Sequence, residues 1–395
     1  MKEDDSNDSY PFASNPLSYA HHLYENGKEI IELVIPDDIE TIKPATFYGA
    51  HHILSLTIPN SVSSIGAYAF CGCRGLTSVV IPNSVTTIEN NTFSSCIGLI
   101  SVIFGNSLKS ISWEAFSNCS ELMSIIIPNS VTIIGNESFM NCKNLKSVFI
   151  GSGVNTMSYD VFRGCTELSS IAISSDNPIF DSRDGCNAII RTSDNTLLYG
   201  CKNSTIPNSV TAIGADAFSN CKGLISVYLP SSIRSIGADA FDYCSNLKEV
   251  TIESSPTINV GAFGSCQSLE TIRCKSINPP IMKSYSVFND VVYPNTVLLV
   301  PNGAIDVYKS TDWWNRFVKI KGFIDMSDVT YIGPTSVNLT PNIVGNDNAY
   351  FSFYGEKFMT LHMTGLEPNT NYDDVYYIIN TTNEQEMTFF GFTTP

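Results

Sequence analysis

The sequence predicts a repeat solenoid, a right-handed superhelix of mostly β structure with short helical turns, followed by a small β-sandwich. Three observations predict it. Phenylalanines recur at a fixed spacing of 23 residues, each repeat carries two short extended segments, and the composition changes near residue 325. One coil of this kind cannot bury its own apolar edge, so its stability has to come from stacking on neighbouring coils.

The phenylalanine spacing defines the repeat. Steps of 23 residues connect Phe47, Phe70, Phe93, Phe116, Phe139 and Phe162, and after an interruption Phe218, Phe241 and Phe263 follow with steps of 23 and 22. In this alignment the series ends at Phe263, next to the predicted C-terminal cap. Truncation of Phe263 is therefore expected to cost less stability than truncation of Phe116, which lies in the middle of the array.

One repeat shows the expected local structure. Residues 76–82 alternate like a half-buried strand, and Pro82 ends that strand because it has no N–H group to donate. A second short extended segment begins at Val85. Phe93 and Cys96 are then expected to point inward from a short helical or irregular turn, so that each repeat forms one coil of the solenoid.

The ends and one interruption depart from the repeat. Asn26-Gly27 is typical of a type I′ turn and predicts a hairpin that caps the first coil. Residues 305–317 are expected to form a helix of the C-terminal cap. The predicted divisions are a polar tail (1–14), the solenoid (15–320) with an inserted hairpin (174–203) and a C-terminal cap (275–320), and a β-sandwich (325–395).

The C-terminal segment has strands of a different kind. Residues 350–354 and 358–363 alternate as strands of an exposed sheet do. Residues 366–372 end in Tyr372 and resemble the tyrosine-corner region of fibronectin type III and immunoglobulin-like domains. That resemblance implies an immunoglobulin-like sandwich over residues 325–395.

The repeat unit itself resembles a known family. Its pattern is Leu-x-x-φ-x-Ile-Pro-x-Ser-Val-x-x-Ile-Gly-x-x-Ala-Phe-x-x-Cys, nearly whole in residues 53–73 and 209–221, and it resembles the BspA-like leucine-rich repeats, as do residues 15–24 and 181–190. The resemblance implies surface or secreted proteins of anaerobic mouth and gut bacteria, some implicated in adhesion to host proteins and cells. It also implies an export signal, often of lipoprotein type and absent from this chain, which would anchor the full-length precursor by a lipid. It implies no catalytic residues.

Charge and hydropathy exclude several functions. The net charge of −16 argues against nucleic-acid binding, because phosphate contacts need clusters of Lys and Arg. No run of 18 apolar residues exists, so the chain is expected not to span a membrane. We find no motif for phosphate binding, nucleophilic catalysis or a zinc hydrolase, and we therefore predict no enzyme activity and no cofactor.

The spacing of the cysteines predicts buried structural residues rather than a metal site or reactive thiols. Eight of them recur once per repeat, at Cys73, Cys96, Cys119, Cys142, Cys165, Cys221, Cys244 and Cys266, and are expected to be reduced, buried and stacked. No paired C-x-x-C motifs are present, so no metal site is predicted. Cys186 and Cys201 could face each other across the inserted hairpin, and a disulfide or two free thiols are equally consistent with the sequence.

A candidate binding surface follows from the strand pattern. The residue between the two inward positions of each strand projects from the sheet, and bulky apolar residues occupy this position at Val80, Ile103, Ile126, Phe149 and, further along, Tyr228. Two interpretations are open. Bulky β-branched and aromatic residues favour strands in general, and on that interpretation the stripe has no function. A continuous exposed apolar stripe is also typical of a binding site. The second interpretation predicts a non-catalytic adhesion protein that binds an extracellular protein of a host matrix or cell surface. The alternative is a carbohydrate-binding accessory protein whose exposed aromatics stack on a glycan.

Overall fold

The computed structural model describes residues 2–3, 23–25 and 27–323, and the strands between residues 329 and 393. Most of the predicted tail (1–14) lies outside the described residues. Internal contacts divide the chain into two units. The first comprises residues up to Glu249 with Pro256–Leu269 and Ile281–Val292, and the second comprises Val250–Ser255, Glu270–Pro280 and the chain from Tyr293.

One strand of each coil belongs to a first strand ladder. In the first unit its strands are Glu32–Val34, Ser55–Thr57, Ser78–Val80, Ser101–Ile103, Ser124–Ile127, Ser147–Ile150, Ser170–Ile173 and Ser226–Leu229. Their central residues are buried and both neighbours are exposed or partly exposed, as the sequence alternation predicts. The pairing is parallel and in register: Ser78 faces Ser101, and Ser147 faces Ser124 on one side and Ser170 on the other.

A second strand ladder runs along another side of the coils. Its strands are Thr41–Ile42, Ser64–Ile65, Thr87–Ile88, Ser110–Ile111, Ile133–Ile134, Thr156–Met157, Thr196–Tyr199, Ala212–Ile213, Ser235–Ile236, Thr257–Ile258 and Ile281–Met282. These strands also pair in parallel. Two parallel ladders from a 23-residue period confirm the predicted β-solenoid.

The segment around each phenylalanine is not helical, which corrects the predicted short helical turns. Alternate residues donate their N–H groups to the next coil: in one coil Asn91 donates to Trp113 O (3.0 Å), Phe93 to Ala115 O (2.8 Å) and Ser95 to Ser117 O (2.7 Å). A helix would direct these groups into its own turn. We call this third set of inter-coil hydrogen bonds the turn ladder.

Two left-handed residues per coil make the turn ladder possible. The first lies two residues before the phenylalanine, at Ala45, Tyr68, Asn91, Glu114, Glu137, Asp160, Asp216, Asp239 and Gly261. The second lies two residues after it, at Gly49, Gly72, Ser95, Asn118, Asn141, Gly164, Asn220 and Tyr243. Positive φ values are costly for most side chains and are held here by the hydrogen bonds of the neighbouring coils.

The phenylalanine rings stack through the core of the first unit. Ring centroids lie 5.3 Å apart between Phe93 and Phe116 and 5.5 Å apart between Phe116 and Phe139, with nearly parallel planes. The expected end of the stack at Phe263 is wrong. Phe288 continues it, 5.3 Å beyond Phe263, and leaves the Phe263 ring fully buried between two neighbours.

The region predicted as an inserted hairpin contains three antiparallel strands, Phe180–Asp181, Ile189–Arg191 and Thr196–Tyr199, with a 3-10 turn at Arg183–Gly185. The last strand also pairs in parallel with Ala212–Ile213, so the insert joins the second strand ladder. Arg183 holds the insert together. Its guanidinium contacts the Asp181 carboxylate at 2.6 Å, and it donates to Asn195 Oδ1 at 2.8 Å.

At the N-terminal end, Leu23–Glu25 and Lys28–Glu29 pair as a hairpin in which Gly27 has a φ of +80°. Lys2–Glu3 pairs antiparallel with the first of these strands. A glycine at a positive φ is what a tight hairpin turn requires.

The second unit contains the remaining coils and their end. Strands Thr271–Cys274, Val297–Pro301 and Lys319–Phe323 pair in parallel. This unit also contains most of the strand Glu249–Ile252 and of the short helix Val292–Asn295, and the 3-10 turn Asn302–Ala304, whereas the 3-10 turn Tyr285–Val287 belongs to the first unit. The helix predicted over residues 305–317 is split into Ile305–Ser310 and a 3-10 turn at Trp314–Arg316. Trp313 between them has a φ of 66°, and the Thr311 hydroxyl donates to Val307 O at 2.7 Å.

Six further strands follow beyond residue 328. Val329–Tyr331, Ser336–Leu339, Ala349–Tyr354 and Phe358–Met363 form one antiparallel sheet, and Asn371–Thr381 pairs with Glu384–Thr393. Their side chains and the segments between them lie outside the described residues. The sandwich over residues 325–395 stays a prediction.

Candidate functional site

Four of the five predicted binding residues lie together on the exposed side of the first strand ladder. Val80 pairs with Ile103 and Ile126 pairs with Phe149 in register, and all four side chains point to solvent. Their exposed fractions range from 39% for Phe149 to 67% for Ile126. Coils in such ladders are about 4.8 Å apart, so the four residues form a stripe roughly 14 Å long.

Tyr228 lies apart from these four residues. It occupies the same strand position in the coil after the insert and is also exposed. Exposed Ala172 and Thr205 occupy that position in the coils between Phe149 and Tyr228. The structure therefore supports a stripe of four residues and a separate aromatic residue.

A second exposed apolar column runs beside the stripe, three residues earlier in each coil. Backbone hydrogen bonds connect its members from coil to coil: Ile100 N donates to Thr77 O at 2.8 Å, and Met123 N donates to Ile100 O at 3.2 Å. Ile100 and Met123 are almost half exposed. Sequence reasoning missed this column because it considered only the residue between the inward positions, although the second column repeats with the same period.

Serine hydroxyls separate the two apolar columns. Ser78, Ser101 and Ser124 begin their strands and are exposed. Their hydroxyl groups make no hydrogen bond within the described part of the chain, so they are available to a polar group of a ligand. We call the stripe, the second column and these serines together the strand surface.

Charge is distributed unevenly around the coils that carry the strand surface. Lys143 and Lys146 lie on the strand side, in the coil of Phe149, and both are exposed. The carboxylates of Glu114 and Glu137 lie on the turn ladder. Burial, and then the hydrogen bond and repulsion from Glu137, raise the pKa of Glu114. Two cationic side chains therefore lie close to the predicted binding residues, and two carboxylates lie on the turn ladder.

The cysteines of the repeat are hydrogen-bonded as well as buried. Each of these thiols except that of Cys221 donates to the carbonyl of a phenylalanine 25 or 26 residues earlier, as from Cys96 to Phe70 O (3.1 Å) and from Cys119 to Phe93 O (3.2 Å). Desolvation raises the pKa of both thiols, and it raises that of Cys221, which is only partly buried, to about 12. These groups fill and bond the core and are poor nucleophiles.

The two cysteines of the insert are free thiols in this structure. Cys201 donates to Asn187 O at 3.3 Å, and Cys186 lies 3.7 Å from the Ser182 hydroxyl. Each sulfur thus has its own polar partner. Of the two alternatives that the sequence left open, a disulfide or two free thiols, this arrangement corresponds to the free thiols. The disulfide between Cys186 and Cys201 stays a prediction for oxidising conditions.

Two further features bear on function. No group of three or more His, Cys, Asp or Glu side chains in the described ranges is arranged to hold a metal ion. Over the same residues, no helix is both long enough and apolar enough to cross a membrane.

Comparison with known proteins identifies the repeat. The profile of the BspA type leucine rich repeat region matches residues 18–120, 63–183 and 194–298, in six copies. No curated protein matches the chain significantly.

Several solved structures match this chain at low sequence identity. A leucine rich cell surface protein from Faecalibacterium prausnitzii is 24% identical, with 75% of this chain and 89% of that one covered and a TM-score of 0.50. A leucine-rich repeat protein from Eubacterium ventriosum is 20% identical, with coverages of 63% and 72% and a TM-score of 0.48. One from Bacteroides ovatus is 22% identical, with coverages of 73% and 76% and a TM-score of 0.40.

Proposed function

Because this chain belongs to the family of proteins built from BspA-type leucine-rich repeats, we propose that it is a non-catalytic surface protein that binds an extracellular protein. The contact is made by the strand surface, with Val80, Ile103, Ile126 and Phe149 at its centre. The observation that carries the proposal is the exposure of these four apolar residues at adjacent positions of one strand ladder. Contiguous exposed apolar patches are typical of binding sites.

The fold makes this surface suited to binding. The residues beneath it, such as Val102, Ile125 and Val148, are almost fully buried, and parallel ladders hold the backbone. A side chain on such a rigid base loses little conformational entropy when a partner covers it. An aromatic anchor in the centre of an interface can contribute about 2 kcal/mol or more, and Phe149 is the candidate for that role.

The location that we propose is the bacterial cell surface or the extracellular space. The similar protein from Faecalibacterium prausnitzii is a cell surface protein, and its fold is shared by this chain. A lipid anchor on the full-length precursor is part of the proposal.

Binding assays with matched variants test the proposal. The full chain is titrated against immobilised host matrix proteins and host cells, beside the variant Ile103→Asp/Ile126→Asp and the control Ile133→Asp. Ile133 is also an exposed isoleucine, at 45%, but belongs to the second strand ladder. We expect the double variant to lose binding with an unchanged melting temperature and the control to bind normally. Equal binding by all three proteins would move the site away from the strand surface.

Carbohydrate binding is the second candidate, and the exposed aromatics favour it. Phe149 and Tyr228 are 39% and 53% exposed, and aromatic faces stack on sugars. The substitution Phe149→Leu distinguishes the two functions because it keeps an apolar side chain and removes the ring. Protein binding should largely survive it, whereas binding to a glycan array should be lost.

A further inference from the structure

Two cationic side chains lie next to the strand surface, although the protein is strongly acidic. In the coil of Phe149, the exposed residues Lys143 and Lys146 precede the ring by six and three residues. Lys146 continues the second apolar column, since its N–H donates to Met123 O at 2.9 Å. Neither lysine forms a salt bridge with any described residue.

The carboxylates beside these two lysines already have other partners. Glu167 forms an ion pair with Lys202 at 2.7 Å, which together with a weaker effect of Lys146 lowers the pKa of Glu167. Glu121 accepts a hydrogen bond from Asn144 Nδ2 at 3.0 Å. One end of the strand surface therefore presents two ammonium groups with unused hydrogen-bond donors.

From this arrangement we infer that the protein partner has an acidic contact surface: apolar side chains that cover Ile103 and Ile126, and carboxylates that meet Lys143 and Lys146. The inference rests on the proposed function and specifies its partner. The net charge of −16 would by itself favour a basic partner. The charges close to the contact determine whether an acidic or a basic partner binds, because charges more than a screening length away contribute little at physiological salt.

The apolar centre favours an acidic protein over an anionic glycan. Four bulky apolar residues make up the stripe, and a sulfated glycan has no apolar side chains to cover them. Two lysines are few for a polyanion, whose binding depends on many cationic contacts. An anionic glycan is consequently the outcome that competes with the inference.

Selection of random peptides displayed on phage against the full chain tests the inference, with heparin as the probe for the glycan. The variants are Lys143→Glu/Lys146→Glu and the control Lys109→Glu/Lys283→Glu. The control changes the net charge equally, at exposed positions beside the second strand ladder. We expect enriched peptides to combine Leu, Ile or Phe with Asp or Glu, and to bind the first variant about tenfold more weakly at low salt.

Salt dependence and the stripe variants separate the possible outcomes. The difference between the first variant and the control should disappear near 1 M salt, where the screening length is about 3 Å. Enrichment of basic peptides, retention of heparin alone, no enriched peptide, or equal binding by both charge variants would overturn the inference. If Ile103→Asp/Ile126→Asp abolishes binding while Lys143→Glu/Lys146→Glu does not, the proposed function stands and only the acidic partner is wrong.

Discussion

The coils over residues 53–150 and the junction over residues 161–218 cover the buried phenylalanine rings with different contacts. In the regular coils each phenylalanine lies against an identical residue, with ring planes 4° apart between Phe70 and Phe93. At the junction the next stacked phenylalanine, Phe218, comes 56 residues after Phe162, and Phe180 between them belongs to a strand of the insert. Tyr199 contacts the Phe162 ring edge-on at 6.0 Å instead, and its hydroxyl donates to Ser158 O.

Glycine completes the junction on the side of the next ring. A Cβ atom at Gly200 would lie 2.0 Å from Cε1 of Phe218, so the backbone itself packs against that ring. The cysteine of the next coil shows the cost of the interruption. Cys221 would need a phenylalanine carbonyl at position 195, where Asn195 stands, so its thiol lacks the phenylalanine acceptor that the other repeat cysteines have. Identical residues in successive coils thus make identical contacts. At the insert, each contact depends instead on one particular residue, such as Tyr199 or Gly200.

The largest effect is expected from truncation of a stacked ring. Phe116→Ala should lower the free energy of unfolding by about 3–5 kcal/mol, because the ring is fully buried between two others and its loss leaves a cavity. Phe263→Ala should cost a similar amount, since Phe288 covers its other face. Phe162→Ala should cost less, because that ring is 7% exposed rather than fully buried and on one side contacts Tyr199 edge-on instead of a stacked phenylalanine. If denaturant titration gives the same loss in free energy of unfolding for all three variants, the ring contacts of the regular coils and of the junction do not differ in strength.

The next effect concerns Gly200. Gly200→Ala should destabilise the protein by about 1–3 kcal/mol, because the new methyl group overlaps the Phe218 ring. Phe218→Leu opens space at that site. The double variant Gly200→Ala/Phe218→Leu should therefore lose less free energy of unfolding than the sum of the losses in the two single variants. Strict additivity in this cycle would show that Gly200 is not packed against the ring.

Comparison of two cysteines gives a smaller effect. Cys119→Ala removes the donor to Phe93 O and should cost about 1–3 kcal/mol, whereas Cys221→Ala removes no hydrogen bond to a phenylalanine carbonyl and should cost less. Native thiol labelling provides an independent measurement. Cys221 should react before Cys119, because it is partly exposed while Cys119 is fully buried. Faster labelling of Cys119 would contradict the packing of the regular coils.

The repeat was predictable from the sequence because every coil places the same residue types at the same distances. The same reasoning missed Phe288, since the step from Phe263 is 25 residues and no cysteine follows at the usual place. The turn ladder was missed for another reason. Tyr68 and Glu114 do not favour positive φ values, and only the hydrogen bonds of neighbouring coils hold them there.

The candidate site was predictable in part. The alternation of short strands identifies Val80, Ile103, Ile126 and Phe149 as outward-facing. The exposure of Ile100 and Met123 depends on how the chain bends before each strand, and the alternation does not report that bend. The separation of Tyr228 from the stripe depends on the path of the insert, which is determined by contacts such as that of Arg183 with Asn195.

The smallest expected effect is a pH dependence from the carboxylates of the turn ladder. Burial and then neighbouring carboxylates raise the pKa of Glu114 in the regular coils and of Asp216 at the junction. A raised pKa means that the folded state holds the proton more tightly than the unfolded state. Stability from these groups is therefore present below their unfolded pKa values and is lost as pH rises through the folded values.

Melting temperatures measured between neutral pH and about pH 4, the ordinary pKa region of Asp and Glu, check this dependence. The contribution of Glu114 and Asp216 should raise the melting temperature as pH falls through their raised pKa values. Glu114→Gln and Asp216→Asn should each raise it slightly at neutral pH and flatten the profile. Variants with an unchanged profile would show that these carboxyls are not strained by burial.

Hydrogen exchange in increasing denaturant tests most directly whether the junction unites the coils on its two sides into one rigid support for the strand surface. The amides of Ser124–Ile127 and Ser147–Ile150 precede the junction, and those of Ser226–Leu229 and Ser235–Ile236 follow it. If Tyr199 and Gly200 restore the stack, both groups should lose protection together, at one denaturant concentration and with one free energy of opening. Loss of protection after the junction at a clearly lower concentration than before it would contradict this account.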